Sequence, residues 1–161
     1  MEHKQLLTVF NSLPVGIGFF TADGTLVRCN ESFCRIFGAD SQTLLGNKLN
    51  INENSVVPDV VKEAVRRCVP VQMSFLYDFD KQRTDKRFFS TRTRTCYLKC
   101  NGNPLYDNDG KFVNYIFIFE DITETVKSEE VLRQSRRKTE LAMKAANIMF
   151  WEFDAVPKLF Y

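Results

Sequence analysis

The chain has 161 residues, of which 44% are hydrophobic, 13% aromatic and 26% charged. These proportions are typical of a globular protein, and a chain of this length buries roughly 70% of its unfolded surface on folding. The 22 basic and 20 acidic residues give a net charge of +2, which is too small to predict nucleic-acid binding. We therefore expect one well-packed domain with a short remainder, and no nucleic-acid partner.

A single histidine excludes several enzyme classes. It is His3, near the amino terminus. Serine–histidine–aspartate and cysteine–histidine catalysis need a histidine beside the nucleophile inside the fold, and histidine-rich zinc sites need more than one. The sequence also lacks a G-x-x-x-x-G-K-[ST] phosphate loop, and no carboxylate pair at helical or strand spacing lies among otherwise apolar residues. We do not expect this chain to be an enzyme by itself.

The five cysteines indicate a reducing compartment. Cys29 and Cys34, Cys96 and Cys100, and the isolated Cys68 form no C-x-x-C pair, so no zinc or redox motif is predicted. No apolar stretch has the length of a signal sequence or a membrane helix. We expect a cytoplasmic segment without membrane contact, whose thiols pack as small hydrophobic groups.

The first elements are predicted by apolar spacing and by turn residues. Leucine and phenylalanine at helical spacing predict a helix over residues 1–13. Asp23-Gly24 between two apolar runs predicts a hairpin, because a tight turn needs positive φ angles. Asn30 and Gly38 are typical of the start and the end of a short helix.

A longer helix and a strand follow. Ser41 is a candidate cap of a short helical turn, and Ser55 of a helix through Cys68. That helix carries one apolar stripe, made of Val57, Val60, Val61, Ala64, Val65 and Cys68. Alternation then predicts a strand whose apolar face consists of Val71, Met73, Phe75, Tyr77 and Phe79. The next residues form a charged connection, whose basic side chains are expected to be solvated: Lys81, Arg83, Lys86, Arg87, Arg92 and Arg94.

A second hairpin is predicted over residues 95–120, with its turn at Asn108-Asp109-Gly110. Pro104 marks a sheet edge or an irregularity in its first strand. Both faces of its second strand are apolar, which a strand with one side in water does not require. We expect the outer face to be covered by the amino-terminal helix or by a partner subunit.

The order of these elements and several short motifs resemble the PAS sensory domain. The motifs are Asp23-Gly24, Asn30-Glu31-Ser32-Phe33 with Gly38, Leu45-Gly46, Pro104-Leu105-Tyr106-Asp107, Asp109-Gly110 and Asp121-Ile122-Thr123. The resemblance as a whole extends over residues 1–125. The resemblance implies an α+β fold, in which helices pack on one face of a five-stranded antiparallel sheet, followed by a carboxy-terminal connector helix.

The resemblance also implies where a signal enters and leaves. A small-molecule pocket would be lined by apolar residues, for which the candidates are Val60, Val61, Met73, Phe75 and Phe117. The segment Asp121-Ile122-Thr123 would join the last strand to the output helix. Asp121 can cap that helix, with Glu124 three residues on as in a capping box. A simple structural cap worth about 1 kcal/mol is the alternative role for Asp121.

The cofactor is not determined by the sequence. Light-sensing flavin members resemble Gly-x-Asn-Cys-Arg-Phe-Leu-Gln, and the aligned segment here places Leu49 where their flavin-bonding cysteine lies. Haem-binding members usually supply a histidine from the long helix, and residues 56–68 contain none. A covalently bonded flavin and a histidine-ligated haem are therefore not expected. A non-covalent flavin, an organic acid, a quinone, another small apolar ligand or a fully packed core remain open.

The residues after the PAS-like region are predicted to form a connector and the start of a second domain. Residues 126–140 form a charged helix whose seven-residue spacing favours a weak coiled-coil seam, and residues 141–161 resemble the incomplete start of a second PAS-like domain. The alternatives are a solvated single helix for residues 126–140 and, for residues 141–161, a tail that docks back on the first domain. We expect a homodimeric input region of a bacterial sensor histidine kinase in a two-component phosphorelay, with downstream PAS and kinase domains in the same chain. A diguanylate cyclase, a transcription activator or a purely structural dimerisation module are the alternatives.

Overall fold

A computed structural model describes residues 2–83 and 90–145. The helices are α1 (Glu2–Ser12), α2 (Glu31–Phe37), α3 (Ser41–Gly46), α4 (Asp59–Arg67), α5 (Phe79–Arg83) and α6 (Thr123–Ala145). The strands are β1 (Gly16–Phe20), β2 (Leu26–Cys29), β3 (Val71–Asp78), β4 (Thr95–Tyr106) and β5 (Phe112–Asp121). The chain divides into two units, Met1–Thr123 and Glu124–Tyr161.

The strands of the first unit form one antiparallel sheet in the order β2-β1-β5-β4-β3. Its inner face and the helices share one core, in which Phe33 from α2 and Leu44 from α3 are buried with Tyr115 and Phe117 of β5. The predicted α+β fold, a five-stranded antiparallel sheet with packed helices, is confirmed.

Local capping explains where α2 and α3 begin and end. The Asn30 side chain accepts a hydrogen bond from the Phe33 amide at 2.9 Å, and Gly38 ends α2 with a φ of 64°, as the sequence predicts. For α3 the predicted cap is wrong by one residue. The Asp40 carboxylate, rather than Ser41, accepts from the Thr43 amide at 2.7 Å, since a carboxylate is also favoured by the helix dipole.

Strand β3 ends one residue before the alternating pattern does. The Asp78 carboxylate accepts hydrogen bonds from the Asp80 and Lys81 amides, each at 3.0 Å, and so begins helix α5. Phe79 is nevertheless completely buried, and its amide bonds to the Arg94 carbonyl at 3.0 Å. The apolar spacing therefore predicted the burial of Phe79 correctly and its secondary structure incorrectly.

The proline in β4 lies where the sheet narrows. Pro104 pairs with Tyr115 of β5, while the pairing of β3 with β4 ends at Val71 and Gly102. Beyond Gly102, β4 has lost its β3 neighbour, so the missing amide hydrogen of Pro104 breaks no ladder bond on that side. The predicted edge position is confirmed.

The outer face of the sheet is covered in part by α1. The Phe10 and Phe19 rings lie 6.0 Å apart, and the Arg28 guanidinium lies 5.4 Å from the Phe10 ring. Towards β3 and β4, Leu76 and Tyr97 are 49% and 39% exposed. The amino-terminal helix thus covers the β1 side of this face, as expected, and a partner subunit on the β3 side remains a prediction.

Helix α6 runs from Thr123 to Ala145, beyond the predicted 126–140, and buries none of its residues. Within it, Glu130 pairs with Arg133 at 2.9 Å. Of the helices described, none is both long enough and apolar enough to cross a bilayer. The predicted start of a second domain falls mostly on residues 146–161, which lie outside the described ranges.

Candidate functional site: an aromatic cavity and the Asp-Ile-Thr junction

An apolar cavity lies between the helices and the inner face of the sheet. Eleven residues line it: Phe20, Phe33, Phe37, Leu49, Ile51, Asn54, Val57, Val61, Phe75, Tyr77 and Phe119. The volume of the cavity is about 20 Å³, which is enough for roughly one water molecule. The aromatic rings therefore fill most of the volume that the fold encloses.

Two of the predicted lining residues, Val61 and Phe75, line this cavity. Phe117 is completely buried in the core, with its ring 5.5 Å from that of Phe20, and Met73 packs against the core half-buried. The prediction is wrong for Val60, which is 64% exposed. Val60 lies about 140° around the helix from the fully buried Val65, which places it at the outer edge of the apolar stripe.

The helix α2 contributes lining residues that the sequence analysis did not assign. Phe33 and Phe37 lie four residues apart, on one face of α2, with their rings 4.5 Å from each other. The Phe37 ring also meets Phe119 of β5 edge-on at 5.3 Å. The i, i+4 spacing of the two phenylalanines was the available signal, because such pairs share one helix face.

One end of the cavity is polar. The Tyr77 hydroxyl accepts a hydrogen bond from the Asn54 amide at 3.0 Å and donates one to the buried Gln82 side chain. Burial raises the pKa of Tyr77 well above its ordinary value. No charged side chain is among the lining residues, so the cavity suits a neutral apolar molecule with at most one hydrogen-bonding group.

The second feature is the junction between β5 and α6. The Asp121 carboxylate accepts hydrogen bonds from the Thr123 amide at 3.1 Å and the Thr123 hydroxyl at 2.5 Å. The Tyr97 amide of β4 donates to the Thr123 hydroxyl at 2.9 Å, and the Ile122 amide donates to the Tyr97 carbonyl at 2.9 Å. All three predicted relay residues are thus tied to the sheet. Glu124, expected to complete a capping box, pairs instead with Lys127 at 2.9 Å.

Arg92 connects this junction to α2. Its guanidinium lies 2.9 Å from the Asp121 carboxylate and donates to the Ile36 carbonyl at 2.9 Å. The guanidinium carbon also lies 5.0 Å from the centre of the Phe79 ring. The sequence predicts a solvated Arg92 in a charged loop, but its side chain is only 33% exposed. The residues around Arg92 in the sequence do not indicate its ion-pair partner, because Asp121 lies 29 positions further along the chain.

The ionisation of Asp121 reflects these contacts. Burial raises the pKa of its carboxyl group, but the hydrogen bonds from Thr123 and Arg92 and the charge of Arg92 outweigh burial. The net pKa lies below the ordinary value of 3.8. The ion pair with Arg92 is therefore present throughout the neutral range.

A further contact holds the same corner of the fold. The Ser90 hydroxyl donates to the Phe37 carbonyl at 2.7 Å, and the Thr91 amide donates to the Gly38 carbonyl at 2.7 Å. Helix α2 therefore lines the cavity through Phe37 and is linked to the junction through Arg92, which bonds to both the Ile36 carbonyl and Asp121. Among the described residues, no group of three or more histidine, cysteine or acidic side chains is placed to hold a metal ion.

Comparison with known proteins supports this architecture. A family model described as the PAS fold matches residues 10–127. A probable diguanylate cyclase of Escherichia coli, DgcE, is 21% identical over 146 residues; the match covers 91% of this chain and 13% of that protein. The chain therefore spans about an eighth of the length of this curated relative.

Solved structures agree at the level of the fold. An RNA-binding light-oxygen-voltage receptor superposes with a TM-score of 0.63 at 17% identity, covering 87% of this chain and 38% of that one. The PAS domain of a protein from Colwellia psychrerythraea gives 0.58 at 15% identity, covering 77% and 99%. The PAS domain of a two-component sensor histidine kinase gives 0.55 at 14% identity, covering 74% and 96%. With the family model matching most of its length, this chain belongs to the PAS fold family.

Proposed function

We propose that this chain is a sensory and relay module, which passes a change in ligand or dimer state to α6 through Asp121, Ile122 and Thr123. The observation that carries the proposal is the placement of Arg92. It contacts the Ile36 carbonyl of the helix that lines the cavity and the Asp121 carboxylate of the junction. A displacement of α2 by a ligand would move or break one of these two bonds.

Mutation of Arg92 in the full-length parent protein tests the relay. Arg92→Ala removes both contacts and is expected to uncouple output from stimulus, whereas Arg92→Lys retains the charge and should retain part of the coupling. Arg66→Ala is the matched control, because Arg66 makes a surface ion pair with Glu63 at 3.5 Å. Output that responds normally in Arg92→Ala would refute this route, provided that the variant folds as the control does.

We propose that the parent protein is a signalling enzyme whose catalytic domains lie outside residues 1–161. A sensor histidine kinase and a diguanylate cyclase are equally supported, since a relative or structural neighbour of each type is similar to this chain. An assay of the full-length protein separates them. Phosphorylation from ATP at a histidine identifies the kinase, whereas conversion of GTP to cyclic di-GMP identifies the cyclase.

The role of the cavity is tested on the purified chain. With room for roughly one water molecule, the cavity favours a state without a large cofactor, in which a ligand must displace aromatic rings. Native mass spectrometry with an absorption spectrum is expected to show the polypeptide mass without visible colour. A bound apolar mass would identify a metabolite sensor, and a chromophore would refute the proposed packed state.

Dimerisation is the second candidate role, and the exposed apolar side chains Leu76 and Tyr97 on the outer sheet face favour it. Sedimentation equilibrium on the whole chain is expected to show a homodimer that Leu76→Lys weakens. A monomer at all accessible concentrations would exclude a relay driven by dimer state in this segment alone.

A further inference from the structure

The structure brings together two cysteines that the sequence analysis treated as independent packing groups. The Cys29 and Cys34 sulfur atoms lie 3.8 Å apart, although no C-x-x-C motif links the residues. Cys29 is the last residue of β2, and Cys34 lies in α2. Both are free thiols, and both are partly exposed.

We propose that Cys29 and Cys34 form a reversible dithiol–disulfide pair, a redox modification site at the corner between β2 and α2. An S–S bond of about 2.05 Å requires the two sulfur atoms, now 3.8 Å apart, to move closer together. The inference does not depend on the proposed relay.

Hydrogen bonds of the Asn30 side chain fix the backbone between the two cysteines. Asn30, between the two cysteines, is 1% exposed and accepts hydrogen bonds from the Ile17 amide at 2.8 Å and the Phe33 amide at 2.9 Å. Its amide group donates to the Phe10 and Val15 carbonyls, at 3.0 and 2.9 Å. A fixed Asn30 limits how far Cys29 and Cys34 can separate, so the fold presents them to each other as a preformed pair.

Both thiols lie in environments that favour the protonated form. Burial, followed by the neighbouring Cys34, raises the pKa of Cys29 to about 12. Burial also raises the pKa of Cys34. Because the thiolate is the nucleophile, either thiol attacks only after it has lost its proton, so oxidation is expected to be faster at higher pH.

With hydrogen peroxide as the oxidant, the reaction balances in two steps. One of the two thiols loses its proton, its thiolate attacks one peroxide oxygen and the O–O bond breaks; the hydroxide that leaves takes up that proton, which gives a sulfenic acid and one water. The other thiol then attacks the sulfenic sulfur and the S–O bond breaks; the departing hydroxyl group takes the proton of this thiol and leaves as a second water while the disulfide forms. Both thiols are oxidised and one peroxide is reduced to two waters.

A tryptic digest can detect the disulfide directly. Arg28 and Arg35 flank the pair, so trypsin releases residues 29–35 as one peptide that contains both cysteines. The full chain is treated with hydrogen peroxide, alkylated under denaturing conditions and digested. We expect a peptide that carries no alkyl group and is about 2 Da lighter than the reduced form, because two hydrogen atoms are lost. Cys68, half-buried with its sulfur directed at the Val65 carbonyl, is the internal control and should remain alkylated.

Two further measurements make the proposal falsifiable. In a glutathione redox buffer, the disulfide fraction is expected to be higher in the folded chain than in urea by about tenfold in equilibrium constant, because the fold holds the thiols in contact. Equal constants would overturn the proposal. The proposal would also be overturned if residues 29–35 stayed doubly alkylated at a peroxide concentration that oxidises Cys68. A disulfide between Cys34 and a second chain would overturn it too. The oxidation rate should rise with pH, and the Cys34→Ser variant should leave Cys29 alkylated.

Discussion

At the scale of single residues, Asn30 does more than cap a helix. It is 1% exposed, and its side chain makes four hydrogen bonds to the backbone of α1, of the segment before β1, of β1 and of α2. The sequence predicted only the bond within α2, because the other three join residues that are distant along the chain. Asn30 therefore stabilises tertiary structure as well as its own helix.

Asn30→Ala is expected to lower the free energy of unfolding by about 2–4 kcal/mol, since it removes a cap and leaves buried backbone groups unpaired. Urea unfolding followed by circular dichroism measures the loss. Asn103→Ala, at an exposed position of β4, is the control and should change stability by less than about 0.5 kcal/mol. A loss for Asn30→Ala no larger than that of the control would show that these bonds contribute no net stability.

Gly102 is a second residue whose role is decided by its neighbours. A Cβ added there would lie 2.4 Å from the Phe117 ring and 2.7 Å from the Tyr115 ring. Gly102→Ala is expected to destabilise the fold by about 1–3 kcal/mol through overpacking. At Gly46 a Cβ would meet nothing within 4 Å, so Gly46→Ala serves as the control. Equal unfolding midpoints for the two variants would contradict the close approach of Phe117 and Tyr115.

At the scale of elements, the junction between β5 and α6 depends on the charge of Asp121. The pKa of Asp121 is lower in the folded state than in the unfolded state, so the unfolded state binds more protons at acidic pH. The stabilisation by the ionised group is complete well above an unfolded pKa of about 3.9 and disappears as the pH falls through the lower folded value.

Asp121→Asn should therefore destabilise the chain at pH 7 and have a smaller effect at pH 3. Urea unfolding of both proteins at the two pH values measures the difference. Glu63→Gln is a suitable control, because its surface pair with Arg66 is about half exposed on each side. An effect of Asp121→Asn that is the same at both pH values would show that the ion pair with Arg92 contributes nothing.

At the scale of the whole molecule, the chain divides into two compact units, Met1–Thr123 and Glu124–Tyr161. Helix α6 buries no residue, so its removal exposes no core of its own. A chain that ends at residue 125 is expected to unfold at the same urea midpoint as the full chain while losing helical circular dichroism. A chain that ends at residue 118, which removes part of β5, is the contrasting control. A lower midpoint for the chain that ends at residue 125 would show that the later residues stabilise the sheet domain.

The sequence by itself determined the features that short-range physics controls. Alternation and helical spacing identified the strands and the longer helix, and Asp23-Gly24 and Asn30 with Gly38 marked a hairpin and a helix correctly. The error at Phe79 arose because a local cap, Asp78, competed with a strand pattern that continued past it. The prediction for Val60 failed at the edge of a pattern as well. The apolar stripe of α4 is wider than the face that packs on the core, so Val60 at its edge is exposed.

The tertiary structure alone decided how these elements meet. The volume left between the phenylalanine rings depends on how side chains from helices and strands interlock, which no local pattern encodes. The contact of Arg92 with Asp121 joins charges 29 residues apart, and the 3.8 Å between Cys29 and Cys34 depends on how α2 leaves the edge of the sheet. Local propensities act over a few residues, whereas packing selects which distant groups become neighbours. The cavity, the junction and the thiol pair were therefore set by the tertiary packing of the chain.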